Sequence, residues 1–285
     1  MRESVGSRPE EEMEHASEHG ASEHVRLARL LFGELAKGLD RALGDDQGVS
    51  GSVDRALDDA AKTIREGEAG KAAFVGLNES EAVRLAEAFH TARTVASLVG
   101  LSVPEPEEFW LGWVKRERLA RALISDHSLV AVPAPYGLGA NRWIEVFRAA
   151  ARLPGSVLSL TAPLTFAPEV LSAFGSLDSP PVRVPSVQGW TLRLIPGDES
   201  PARTGVNYSV GPHVTLPEML MLQLMNLVRG AEPIDRRSFT WLQGTFGDGK
   251  FAARHFYDEA GRGVGVNARE IGNQGPHLGI RTPVS

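Results

Sequence analysis

From Phe239 to Arg281 the chain runs as four short segments, Phe239–Phe246, Lys250–Tyr257, Gly263–Asn267 and His277–Arg281. They are cut apart by Gly247-Asp-Gly249, Asp258-Glu-Ala-Gly261 and Gly272-Asn-Gln-Gly275. Segments this short suit strands better than helices, and Gly, Asn and Asp adopt the left-handed conformations that tight reversals demand. The stretch therefore predicts an antiparallel β-meander, and the rest of the chain must supply the layers that cover it.

Upstream the period changes. Leu27, Leu31 and Leu35 recur at helical spacing towards Gly44, and Val53, Leu57, Ala60, Ala61 and Ile64 make a second stripe ending at Gly67. Asn78 and Glu81 stand where an N-cap and its reciprocal acid belong, ahead of a helix to about Val99. Phe109, Trp110, Trp113, Val114, Ala120, Leu123 and Ile124 cover more than one side of a further helix. From Asp126 the character is mixed. Residues 128–133 read as an interior strand, 141–152 as a helix, and 157–160 as a further short strand. A Ser/Pro-rich loop over 175–188 precedes a strand at 190–195. Thr215-Leu-Pro-Glu218 is the strongest helix start in the chain, opening a helix 216–228. The fold class expected is α+β: a helical N-terminal region packed on a C-terminal α/β region that ends in the meander. The boundaries expected are an acidic disordered tail over 1–23, a helical region over 24–125 and a mixed α/β domain over 126–285.

The formal net charge of -6 is concentrated at one end. Residues 1–24 hold seven glutamates against two arginines, and the remainder of the 285 residues is near neutral with its basic residues scattered. No basic patch points to nucleic acid, and no polybasic stretch points to a membrane surface. With 42% hydrophobic residues and no apolar run long enough to span a bilayer, a soluble protein is expected. The acidic N-terminus does not resemble a secretory leader, so a cytoplasmic location is expected. The absence of cysteine excludes disulfides, thiolate metal sites and a cysteine nucleophile.

Three motifs fit a known pattern only in part. His15-Ala-Ser-Glu-His19 matches the H-x-x-E-H zinc pattern but lies in a tail without an apolar face, so no metal site is assigned. Gly244 to Lys250 matches G-x-x-x-x-G-K, but Phe251 stands where a phosphate loop needs a hydroxyl, and strand-like residues flank both sides. A hairpin turn is the better reading. Pro135-Tyr-Gly-Leu-Gly139-Ala-Asn141 lies between a strand and a helix, where open α/β sheets bind ligands, although two glycines are equally explained by positive φ.

The candidate site residues come from the meander: Trp241, Gln243, His255, Asn267, Arg269, Asn273, His277 and Arg281, with Arg254 and Phe256 set opposite His255 and Tyr257 by alternation. No catalytic residue, cofactor or metal is assigned. The expected function is non-catalytic binding of a partner or small ligand through the C-terminal sheet. The alternative is an enzyme with His255 or His277 as acid/base beside Asp258 or Glu270, and Arg269 or Arg281 holding a small anionic substrate. A homo-oligomer through the helical region is a third reading.

Residues Leu129–Pro133, Ile195-Pro-Gly197, Leu216-Pro-Glu218, Phe239-Thr-Trp-Leu-Gln-Gly244 and Gly272-Asn-Gln-Gly-Pro-His-Leu-Gly279 follow one another in an order that resembles an uncharacterised actinobacterial family, a domain of unknown function. The resemblance covers somewhat over half the chain and implies a bacterial protein. It implies no activity, so no residue role is carried over.

Overall fold

A computed structural model describes residues 79–110, 116–182 and 184–285. The expected acidic tail, the helices expected at 24–44 and 53–67 and the H-x-x-E-H stretch lie outside them. The described chain is helical and mixed-sheet, an α+β protein. None of its helices is long and apolar enough to cross a membrane.

Helix α1 (Glu79–Ser97) buries Leu85, Phe89, Ala92 and Ala96 along one stripe and ends just before Gly100, whose φ of 71° is the left-handed turn a helix C-terminus favours. Of the helix expected over 109–124, the described residues hold α2 (Pro106–Trp110) and α3 (Arg116–Ser125), and 111–115 lie outside them. Arg84 braces the exit from α3, donating to the carbonyls of Leu123 at 2.9 Å, His127 at 2.9 Å and Leu129 at 2.7 Å.

Strand β1 (Leu129–Pro135) was expected in a sheet interior. It is an edge, paired only with the later strand β4 (Trp190–Pro196), and an edge is where a sheet accommodates Pro133 and Pro135. Its apolar run is explained by helices packed against it. After β1 come α4 (Gly139–Ala151), β2 (Leu164–Phe166), α5 (Pro168–Ser172), α6 (Phe174–Leu177) and β3 (Ser186–Val187), which completes a three-stranded antiparallel sheet in the order β1-β4-β3. The strand expected at 157–160 is not one. Val157 and Leu160 are exposed, and the pairing falls on Leu164–Phe166, where buried Leu164 and exposed Thr165 alternate.

Helix α7 (Leu216–Val228) begins as its sequence dictates. Thr215 Oγ1 accepts from the Glu218 N–H at 3.4 Å, and Glu218 Oε2 accepts from the Thr215 N–H at 2.9 Å. Ten of its residues are buried, because it packs on β1, α1 and α4 and on strand β6 (Phe239–Phe246) of a second sheet. That sheet also contains β5 (Arg203–Thr204), β7 (Phe251–Asp258), β8 (Gly263–Glu270) and β9 (Leu278–Ile280), in the order β2-β8-β7-β6-β9-β5. The expected meander is β6-β7-β8. The fourth segment crosses back to join β6 on its far side in parallel, and β2 caps the opposite edge, parallel to β8. The large sheet thus has an inner face under helices α4 to α7 and an outer face only partly covered.

Candidate functional site on the two faces of the sheet

Period-two alternation sorts the meander. Ala253, His255 and Tyr257 of β7, with Val264 and Val266 of β8, turn inward to the main core. Ala252, Arg254 and Phe256 turn outward with Gly265, Asn267 and Arg269. The eight candidate residues consequently do not meet in one place.

His255 and Arg281 go inward, where they meet a residue the sequence reading missed. Asp235 lies between them: His255 Nδ1 is 2.9 Å from its Oδ2, and Arg281 donates to its Oδ1 at 2.7 Å, all three side chains being 0% exposed. Arg281 also donates to Thr240 Oγ1 at 3.1 Å and to the carbonyls of Pro196 at 2.9 Å, Asp198 at 2.8 Å and Glu199 at 3.3 Å. Burial alone would push the Asp235 carboxyl up, but the Arg281 guanidinium and the His255 ring outweigh it and hold the group below its ordinary value. His255 thus meets Asp235, not Asp258 or Glu270, and both of those are exposed. The cluster ties β6, β7, the 196–199 turn and the C-terminal segment together.

A second interior cluster joins the sheets through α7. Arg193 of β4 donates to Glu218 with both ends of its guanidinium, Nε reaching Oε1 at 2.7 Å, so the capping acid of α7 is also a buried ion-pair partner. Tyr136 places its hydroxyl 2.8 Å from Thr215 Oγ1. Burial and then the Glu218 charge push this phenol well above its usual range, so it stays protonated. In the Pro135–Asn141 loop, Gly137 and Gly139 have φ of 76° and 77°, and their N–H groups donate to Asp178 at 3.1 and 2.8 Å. The chain's own carboxylate occupies the amides that an anionic ligand would use.

Trp241 and Gln243 are structural in setting. Trp241 is 0% exposed, donates to the Val206 carbonyl at 3.0 Å and meets Tyr208 edge-on at 5.7 Å. It belongs to a small second core formed where residues 201–213 strap across the β6–β9 end of the outer face. Gln243 sits in the bulge between Trp241 and Thr245, its N–H donating to the Val214 carbonyl at 2.8 Å. Asn273 accepts from the Gly275 N–H at 3.1 Å in the turn before β9, and His277 is exposed there. His213, stacked on Tyr208 at 4.2 Å, is pushed down by burial and is a neutral core histidine.

Asn267 and Arg269 remain, and they lie on the part of the outer face that the strap leaves open. Strand register brings Phe256 opposite Gly265, Arg254 opposite Asn267 and Ala252 opposite Arg269, and Phe239, one residue before the Thr240–His255 pair, meets Phe256 through its ring. The two phenylalanine rings are 5.4 Å apart, and the Phe256 ring lies so close over Gly265 that a Cβ there would fall 2.2 Å from its Cζ. Arg254 lays its guanidinium 4.0 Å over the Phe239 ring and donates from Nε to Asn267 Oδ1 at 2.7 Å. Burial and then the neighbouring Arg269 charge lower the Arg254 pKa. Among the described residues neither arginine has a carboxylate within ion-pair distance. Asp258, the acid at the far end of the same strand face, is turned into its own loop, where it accepts from the Ala260 N–H at 3.1 Å. Pairing Phe239 with Phe256 from sequence needed the register of the bulged β6–β7 hairpin, which the turn residues alone do not fix.

Elsewhere, a cleft of about 130 Å³ is lined by Arg84, Glu87, His127 and Arg229 over an apolar floor. Its most buried arginine is spent on backbone carbonyls. Among the described residues no cluster of His, Asp and Glu has the geometry of a metal site. Compared with protein-family models, curated proteins and solved structures, the chain matches none.

Proposed function

We propose that this chain is a non-catalytic binding protein that recognises a macromolecular partner through the open outer face of its C-terminal sheet. The observation that carries the reading is the pairing of two guanidiniums, Arg254 and Arg269, on a surface with half-buried Phe239 and Phe256 and no acidic partner among the described residues. A surface that holds like charges together gains most from a ligand that neutralises them. A sheet face is also broad and shallow, which suits a macromolecule better than the concave sites that enclose small ligands. The enzyme alternative finds less support. His255 has a carboxylate at hydrogen-bond distance, but Asp235, His255 and Arg281 are fully enclosed and leave a substrate no approach. The resemblance of residues 126–285 to the actinobacterial family supplies no competing activity.

The test is photo-crosslinking in the native cell. A photoreactive amino acid replaces Thr165, which is exposed on the same face of the edge strand. Adducts are expected with the otherwise unmodified chain and should be lost in an Arg254→Glu/Arg269→Glu background whose circular dichroism is unchanged. Equal adduct yields in both backgrounds refute the reading.

A further inference from the structure

We infer that the occupant of this face is an extended acidic segment of a protein partner, with carboxylates set on Arg254 and Arg269 beside an apolar side chain packed on Phe256; this rests on the binding reading above. Charge complementarity comes first. Around Arg254 and Asn267 the polar groups left free are donors: the terminal nitrogens of Arg254 beyond its Nε bond, the guanidinium of Arg269, and the Asn267 amide NH2, whose oxygen is already taken by Arg254, while the one acid of this strand face, Asp258, sits at its far end and accepts from the Ala260 N–H. Thr165 spends its hydroxyl on the Val264 carbonyl at 3.4 Å. A surface of donors selects acceptor-only groups, and the fork of a guanidinium matches a carboxylate edge to edge.

Single-stranded nucleic acid also combines acceptors with flat rings, but two features disfavour it. Base stacking needs an open aromatic face, whereas Arg254 covers Phe239 at 4.0 Å and Phe256 lies against Gly265 on its sheet side. Nucleic-acid grooves also track a run of phosphates with a run of basic groups, and this face offers two. A peptide requires less: a few carboxylates, and one apolar side chain for the half-buried ring of Phe256.

Three fluorescein-labelled probes test this on the full chain by fluorescence anisotropy: a short peptide of alternating glutamate and leucine, its counterpart with glutamine for glutamate, and an oligothymidylate of equal charge. The glutamate peptide is expected to bind best and to weaken as salt is added. Arg269→Gln, which removes an exposed side chain with no structural bond among the described residues, should weaken it about fivefold, and Arg254→Gln by at least as much, as expected for surface ion pairs. Arg152→Gln, an exposed arginine at the end of α4, should leave it unchanged. Equal binding of the glutamine peptide, tighter binding of the oligothymidylate, or indifference to both arginine variants overturns the inference. Crosslinking through position 165 without glutamate-peptide binding would remove the acidic segment and leave the binding face standing, while loss of both would remove both.

Discussion

Replacing Arg281 with methionine keeps most of the side chain's length and apolar stem but deletes the charge that neutralises Asp235. In the native protein Arg281 serves one carboxylate, one hydroxyl and three carbonyls, all within 3.3 Å. Removing one partner of a buried pair leaves the other charge uncompensated, at a cost of about 3–5 kcal/mol. For a domain of this size that corresponds to a fall in Tm of roughly 6–20 °C. The pH dependence identifies the cause. Because Asp235 is held below its ordinary value, its native contribution is complete above the unfolded-state pKa of about 3.9 and is lost as pH falls through the folded value. In Arg281→Met a proton taken up by Asp235 relieves the unpaired charge, so folding of the variant gains relative to the native protein as pH falls. The stability gap between the two, measured by urea unfolding, should be widest near neutral pH and narrow towards pH 4. Asp235→Asn combined with Arg281→Met should recover more than half of the loss, since both ends of the pair are then gone. A gap below about 1 kcal/mol at pH 7, or one that does not change with pH, would refute the assignment of Arg281 as the counter-ion that keeps Asp235 charged.

Thr215→Ala should cost about 1–2 kcal/mol in urea unfolding, because the hydroxyl caps α7 and also partners Tyr136, whereas Thr215→Ser should cost little. Asp178 has its pKa raised, chiefly by burial, so it favours the folded state below its unfolded-state pKa and that contribution fades as pH rises through the folded value. Asp178→Asn should therefore remove a small rise in Tm on acidification from pH 7 towards pH 4, and an unchanged slope would contradict this. Gly265→Ala should displace the Phe256 ring, lowering stability by about 1–3 kcal/mol and weakening the glutamate peptide; a crystal structure with Phe256 unmoved would refute the close packing.

Much of the fold was legible where the signal is local. The α7 start could be read because a capping box spans three residues and needs no knowledge of the rest of the chain. The β6–β7–β8 meander could be read because each reversal carries its own turn residues; Gly247, Asp248 and Gly249 all have positive φ. What was missed is non-local. The parallel pairings of β2 with β8 and β9 with β6 are non-local: the turn residues of Gly272–Gly275 end β8 but do not say that the chain crosses to the far side of β6, and β2 is three residues long, below what periodicity detects. The strand expected at 157–160 was a short apolar stretch whose backbone instead supplies the Val157 carbonyl to Tyr257 and Arg262. Asp235 carried no signal of its ion pairs, since its charged partners lie 20 and 46 residues away.

The candidate site divides for a reason that alternation alone does not contain. Arg254 and His255 are consecutive and equally polar, so composition favours neither as the functional group. Alternation says only that they part. What decides their fates is the cover over each face: helices α4 to α7 and the 196–199 turn close over His255, while the 201–213 strap reaches Trp241 and Ala252 and stops short of Arg254 and Asn267. A buried polar group is satisfied from within the chain where it can be, and the inner cluster accordingly sets Asp235 against His255 Nδ1 and Arg281 against Asp235, while His255 Nε2 has no partner among the described residues. At the strap's edge that requirement lapses. Arg254 is bonded only through Nε, and the donors it leaves open are the groups a partner can take up.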